Sequence, residues 1–204
     1  MNANIELRQS LTERLAQIML EGLTKGRNLD RIDYLKCKLG LETFLINLSK
    51  LSVVYGLAAV VGLVWQVFIF HLAYMSIRTY AYGVHSESSL HCTIISCIIL
   101  IGFPTVLLTV QLPRISFVII SVVSHFTLKK YAPAATKKNG IVHLNEERKQ
   151  KLRHKALMSN FIILIVALII PSLFIGNLLI IGNILASLMT TPVAYKLLKN
   201  EWRD

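Results

Sequence analysis

The sequence predicts an all-α integral membrane protein: a polytopic helical bundle of about six transmembrane segments preceded by amphipathic N-terminal helices. Three observations point there. Over 204 residues the hydrophobic share is 54% and the mean hydropathy +0.57, more than an ordinary soluble core needs. Apolar stretches recur at 43–77, 93–128 and 156–195, where a spanning helix takes roughly 20 mostly apolar residues. The basic residues fall in blocks: of 22 Lys and Arg, seven precede residue 41, nine lie between Lys129 and Lys155, and three follow Tyr195.

The first 40 residues are charged and amphipathic. Leu7, Leu11, Leu15 and Ile18 recur at helical spacing, which predicts an amphipathic helix at a membrane surface. After the turn Lys25–Gly26–Arg27–Asn28, Asp30 is placed to cap a second helix with Ile32, Leu35 and Leu39 on one face. No 7–15-residue apolar core with a small-residue cleavage site precedes them, so no cleaved signal peptide is expected. Residues 1–40 therefore read as a cytoplasmic amphipathic segment, and 41–204 as the membrane domain.

By the positive-inside rule the three basic blocks share the cytoplasmic side, so the chain between them crosses an even number of times. The 156–195 block then crosses twice, with a break expected near Ile175–Gly176–Asn177. Gln111–Leu112–Pro113–Arg114 divides 93–128 into two short spans, because the residue before a proline is pushed out of helical geometry. That puts the polar loop 78–92 in the cytoplasm and makes 43–77 a hairpin turning around Gly56–Gly62. A single span at 51–77 with one re-entrant segment later is the alternative. The loop 129–155 is basic enough to meet anionic lipid heads, each Lys or Arg contributing about 1 kcal/mol near such a surface, and its minimal role is to fix topology. Aromatic residues for nucleic-acid stacking are sparse there, so no nucleic-acid partner is expected.

Cys37, Cys92 and Cys97 have no paired spacing suited to zinc, and an odd number facing a reducing compartment argues against a disulfide framework. His91 and Cys92 are neighbours that diverge on a helix, and with His85 they make a poor ligand set. No metal or cofactor is expected, and no phosphate loop supports a nucleotide-driven pump. Nucleophilic chemistry remains, a cysteine with a spatially adjacent histidine being its minimum. Cys97 lies among isoleucines and Cys37 has no histidine near it in sequence, which leaves Cys92 with His85. On one straight helix the seven-position step from His85 to Cys92 would rise roughly 10 Å, beyond the ~2.6–3.2 Å of a working pair. A helix start at Ser88 avoids this, leaving His85 free to fold back and placing Cys92 in the first turns, where the helix dipole favours thiolate. Spacing alone leaves an incidental pair as the alternative. His125, within the fourth apolar span, is expected to meet a backbone partner.

Arg78-x-x-Ala81-x-Gly83-x-His85-x-x-Ser88–Ser89-x-x-Cys92 resembles the central motif of the accessory gene regulator B (AgrB) family, membrane peptidases of bacterial quorum sensing. Asn28–Leu29–Asp30-x-Ile32-x-x-Leu35-x-x-Lys38–Leu39–Gly40 resembles its pre-membrane segment, and Tyr131–Ala132–Pro133–Ala134–Ala135–Thr136–Lys137–Lys138 its basic loop. Asn139–Gly140 departs from the pattern, a proline being common after the lysines. The resemblance implies that His85 and Cys92 are the catalytic dyad of a cysteine endopeptidase in a bacterial cell membrane, without cofactor. The implied substrate is an AgrD-like precursor peptide with an acidic tail, which is cleaved and closed into a thiolactone or lactone. Arg78, Ser88 and Ser89 are candidates for oxyanion stabilisation or positioning. Lys129, Lys130, Lys137 and Lys138 are candidates for holding the acidic tail. Membrane lipids are expected partners and a second copy of the chain is a candidate. The contrasting function is a non-enzymatic small transporter or peptide-export subunit, for which Lys50 near the first span would be the ionisable pathway residue.

Overall fold

The computed structural model describes residues 11–25, 30–84, 89–134 and 144–198, which form two compact units, 1–53 and 54–204. All the elements are helical; among the described residues the only strand-like pairing is a single parallel bridge between Tyr82 and Ala134.

In the first unit, α1 (Leu11–Thr24) buries Ala16 and Leu20 and exposes Leu15, Ile18, Met19 and Leu23. Its amphipathic pattern agrees with the sequence expectation. Asp30 opens α2, its carboxylate accepting the Arg31 N–H at 2.8 Å. The helix then runs unbroken from Arg31 to Val60, so the second amphipathic helix and the first apolar one are a single element.

The second unit takes up the last turns of α2 and the remaining helices. Behind α2 the chain closes a Schellman turn: Gly62 (φ +72°) donates to Ala59 and Leu63 to Ala58. Glycine suits this position because an L side chain is strained at positive φ. The turn at Gly62 lies at the C-terminal edge of the expected Gly56–Gly62 region and leads into α3 (Val64–Ala81). Next come α4 (Ser89–Cys97), a π-helical stretch Ile98–Gly102 and α5 (Phe103–Leu107). Pro104 has no N–H to give the Leu100 carbonyl, and the turn before it widens accordingly. Pro113 then precedes α6 (Arg114–Tyr131), breaking 93–128 where expected.

After α7 (Glu146–Ile169) the break falls at Ile170–Pro171–Ser172, not at Ile175–Gly176–Asn177. Pro171 forces Ile170 into extended backbone (ψ 126°), and Ser172 caps α8 (Leu173–Leu188) by accepting from Ile175 N at 3.4 Å. Asn177 lies inside α8. A last short helix, α9 (Pro192–Leu197), starts at the Thr191 cap.

Helix α8 packs against α3, α6 and α7, and its small residues permit close approach: a Cβ on Gly182 would sit 2.7 Å from the Phe70 carbonyl oxygen. Between α6, α7 and α8 runs a buried polar ladder. Ser121 Oγ donates to Asn160 Oδ1 (3.1 Å), Asn183 Nδ2 donates to the same oxygen (2.6 Å), and Ser187 and Thr190 continue it on backbone carbonyls. These bonds satisfy most polar groups in an otherwise apolar interior. The outside carries Trp65, Ile115, Ile119, Phe126, Phe161 and Ile169, all well exposed, an apolar surface far larger than a water-facing monomer shows. Among the described residues two helices, α2 and α7, are long and apolar enough to cross a membrane; the continuous stretch Cys92–Leu107 and α8 are shorter apolar helices.

The second unit has two distinct ends. At one, the 108–113 and 170–172 turns meet. The Asn177 side-chain amide clamps the Leu112 backbone (N–H to Oδ1 2.9 Å, Nδ2 to O 3.2 Å), and Arg114 spans the carbonyls of Leu168, Ile170 and Pro171 at 2.6–2.9 Å. At the other end the segments after α3, α6 and α8 come together.

Candidate functional site

Helix α3 ends in two residues of positive φ, Tyr82 (57°) and Gly83 (113°), which turn the chain sharply out of the bundle. Gly83 is required twice over. Its φ is one L side chains rarely adopt, and a Cβ there would stand 2.4 Å from Arg78 Nη1 and 2.6 Å from the Met189 carbonyl oxygen. Val84, 2% exposed, is tied from two sides: its N–H donates to the Met189 carbonyl at 3.1 Å, and its carbonyl accepts from Arg78 Nη2. Ala134 N donates to the Ala81 carbonyl at 2.9 Å, pinning the start of the basic loop to the end of α3. Arg153 Nε donates to the Ala132 carbonyl at 2.7 Å, and Lys155 lies over the Tyr80 ring at 5.6 Å.

The backbone entering residue 85 is therefore fixed at the junction of α3, the post-α6 segment and the α8–α9 turn. Val84, Ala134, Ala194 and Tyr195 form one buried cluster there. Tyr195 is wholly buried; burial pushes its phenol up to about 12 against the lowering pull of the Arg78 guanidinium, so the ring is neutral at ordinary pH.

Cys92 is the fourth residue of α4 and is partly exposed. Cys97, the last residue of α4 before the π-helical stretch, packs against the cluster of Leu63, Val67 and Leu100. Cys37 is exposed in the first unit. All three are unpaired. His85 and Ser88 lie outside the described residues, as do Lys137 and Lys138, and so does the side chain of Ser89, which opens α4. Lys129 and Lys130 are exposed at the end of α6, with no acidic partner among the described residues; Lys130 lies over the Tyr131 ring at 5.1 Å. In α7, by contrast, Lys149 and Lys151 are paired with Glu146 and Glu147. No cluster of His, Cys, Asp or Glu able to hold a metal occurs among the described residues.

Arg78 is 8% exposed. One nitrogen is engaged by the Val84 carbonyl, and Nη1 is buried against Gly83 without a hydrogen-bond partner among the described residues. The enclosed guanidinium holds the backbone at Val84. His125 is exposed on α6 and edge-on to Phe126 at 6.0 Å, so the expected backbone partner is absent among the described residues: its side of the helix faces away from the core. Met189, Arg153 and Tyr195 were not singled out from sequence. The Thr191–Pro192 pair, a cap followed by proline at the first helical position, was the signal for α9.

These features define a helical bundle bearing membrane-length apolar helices, with a partly exposed thiol near the start of α4. The chain belongs to the accessory gene regulator B family, whose profile matches residues 13–191. It is 37% identical over 191 residues to the accessory gene regulator protein B of Staphylococcus carnosus, covering 92% of this chain and 96% of that one. It is 31% identical over 203 residues to a putative AgrB-like protein of Listeria innocua, covering 99% and 97%. No solved structure matches.

Proposed function

We propose that the chain is a cysteine endopeptidase of the bacterial cell membrane that cleaves the acidic C-terminal tail from an AgrD-like precursor peptide and promotes cyclisation of the remainder. The observation that carries the reading is the setting of the motif. Cys92 stands in the first turn of α4, and the residue before His85 is held by three backbone or side-chain anchors at the same stretch of chain. Rigid support for one partner and a helix start under the other are what a histidine–cysteine pair needs.

In this mechanism His85 takes the proton from the Cys92 Sγ, and the thiolate attacks the carbonyl carbon preceding the precursor's tail. The C–N bond breaks, and His85 gives its proton to the leaving amine. The acyl group now rests on Sγ as a thioester. A thiol or hydroxyl within the precursor loses its proton to His85 and attacks, forming the thiolactone or lactone, and the departing Cys92 sulfur recovers the proton. Arg78 acts as a positioning residue through Val84. The amides opening α4, with Ser88 and Ser89, are the candidate oxyanion donors. Lys129, Lys130, Lys137 and Lys138 attract the acidic tail. The bundle crosses the membrane six times, with the 78–92 loop, the 129–155 loop and both termini cytoplasmic. Residues 1–40 form the amphipathic segment before the peptidase domain 41–204. Among the described residues the only buried charge is Arg78, tied to a backbone carbonyl, which gives a transport pathway little to work with.

Co-expression with the precursor and mass spectrometry of the products test this. Cys92→Ala and His85→Ala each abolish cleavage, while Cys37→Ala and Cys97→Ala retain most of it. Wild-type cleavage by stably inserted Cys92→Ala protein ends the peptidase reading.

A further inference from the structure

Resting on that peptidase reading, we propose that α9 is a positioning element of the enzyme, and that the ring of Tyr195 holds the backbone from which His85 is presented. A six-residue helix has no stability of its own, so α9 is ordered by what it packs on. Its N-terminus is set by Thr191, whose hydroxyl accepts from Ala194 N at 3.5 Å, and its buried side chains, Ala194 and Tyr195, meet Val84 and Ala134. Tyr195 is the largest wholly buried side chain described, yet it lies beyond the last apolar helix. That bulk is spent on the α3 exit, not on the bundle core: Tyr195 belongs with Val84 and Ala134 and stands outside the clusters built on Phe70 and Phe117.

The turn leading into α9 supplies the second hold. The Met189 carbonyl takes the Val84 N–H and abuts Gly83. Val84 is thus fixed at its N–H by the α8–α9 turn and at its carbonyl by Arg78, and its side chain packs in the cluster of which Tyr195 is the largest member. Removing the ring loosens this third hold by opening a cavity in that cluster. A displacement of ~1 Å in a catalytic group costs on the order of 100-fold in rate, so the loss is felt in chemistry before it is felt in folding.

The test uses the full chain carrying Cys37→Ala and Cys97→Ala in proteoliposomes, with iodoacetamide as the probe of Cys92. The rate of Cys92 alkylation is followed against pH without precursor, normalised to inserted protein, and kcat and KM for precursor cleavage are measured beside it. The dyad predicts that alkylation persists to lower pH in the parent protein than in His85→Ala. Tyr195→Ala moves the profile the same way, by about one pH unit, equal to ~10-fold less thiolate at fixed pH, and lowers kcat with KM little changed. Tyr195→Leu, which keeps most of the volume, gives a smaller shift of the same sign if Tyr195→Ala does not insert. An unshifted profile in inserted Tyr195→Ala or Tyr195→Leu protein overturns the role of α9 and leaves the dyad standing. A profile indifferent to His85→Ala removes the dyad, and this proposal with it.

Discussion

The two ends of the 54–204 bundle are built on opposite principles. At the Arg114 end, turns are short and close on themselves: a Schellman turn at Gly62, a proline entry at Pro113 and the Pro171–Ser172 break. Its polar side chains are spent on neighbouring backbone, with Asn177 on Leu112 and Arg114 on three carbonyls. At the Val84 end, three segments from different parts of the sequence converge and long connections leave the junction. Several basic side chains there have no acidic partner among the described residues. One end closes on itself; the other is held at its root, where backbone and side-chain bonds fix the residues entering positions 85 and 135.

The comparison is broken most directly by topology, where the expected effect is all or none. With an impermeant thiol reagent on intact cells, in a cysteine-free background, Val110→Cys is labelled while Ser86→Cys and Lys138→Cys are not. External labelling of Ser86→Cys alone would mean that 43–77 crosses once; labelling of both loop sites would turn the bundle over.

The two positive-φ glycines sharpen the contrast with a graded effect. Around Gly62 a Cβ would meet nothing within 4 Å, whereas at Gly83 it would strike Arg78 and the Met189 carbonyl. Gly62→Ala therefore carries backbone strain alone, about 1–2 kcal/mol of stability, and inserted enzyme keeps its cleavage rate. Gly83→Ala carries similar strain and also displaces the guanidinium that holds Val84, so kcat falls on the order of 10- to 100-fold. Equal cleavage by the two variants would remove the geometric argument for the α3 exit.

How far the sequence foretold these ends depends on whether the signal is local. Gly62 and Pro113 act within a few residues, and the turns they make were legible. The second break falls at Pro171–Ser172 and not at the expected Ile175–Gly176–Asn177, because a proline restricts its predecessor whatever the surroundings. Asn177 looked like a loop residue, and its partner, Leu112, is 65 positions away. The buried ladder of Ser121, Asn160 and Asn183 was illegible for the same reason: periodicity shows which face is apolar but not which amides will meet across three helices. At the site, the motif spacing and the place of Cys92 near a helix start were readable. The reasons for Arg78 and Gly83, and any part for Tyr195, depend on tertiary neighbours that no local pattern names.

The smallest expected effect concerns charge. Lys129 and Lys130 end α6 without acidic partners among the described residues, while Arg114, at the other end, is held on three carbonyls within 2.9 Å. If the lysines draw in an acidic tail through a screened field, replacing Lys129, Lys130, Lys137 and Lys138 by Gln raises KM several-fold with a much smaller change in kcat. Added salt imitates the replacement in the parent enzyme and does little to the variant. Arg114→Gln behaves differently, because its charge is committed to the α7–α8 turn. Loss of those bonds leaves carbonyls short of donors and costs about 1–3 kcal/mol, seen as a lower unfolding midpoint in detergent, while KM and its salt dependence stay as they were. Cleavage kinetics in proteoliposomes at two salt concentrations, normalised to correctly inserted enzyme, separate the cases. A KM that ignores both the lysine replacements and salt would leave those lysines as topology signals, and the two ends would then differ in their backbone but not in what they do with charge.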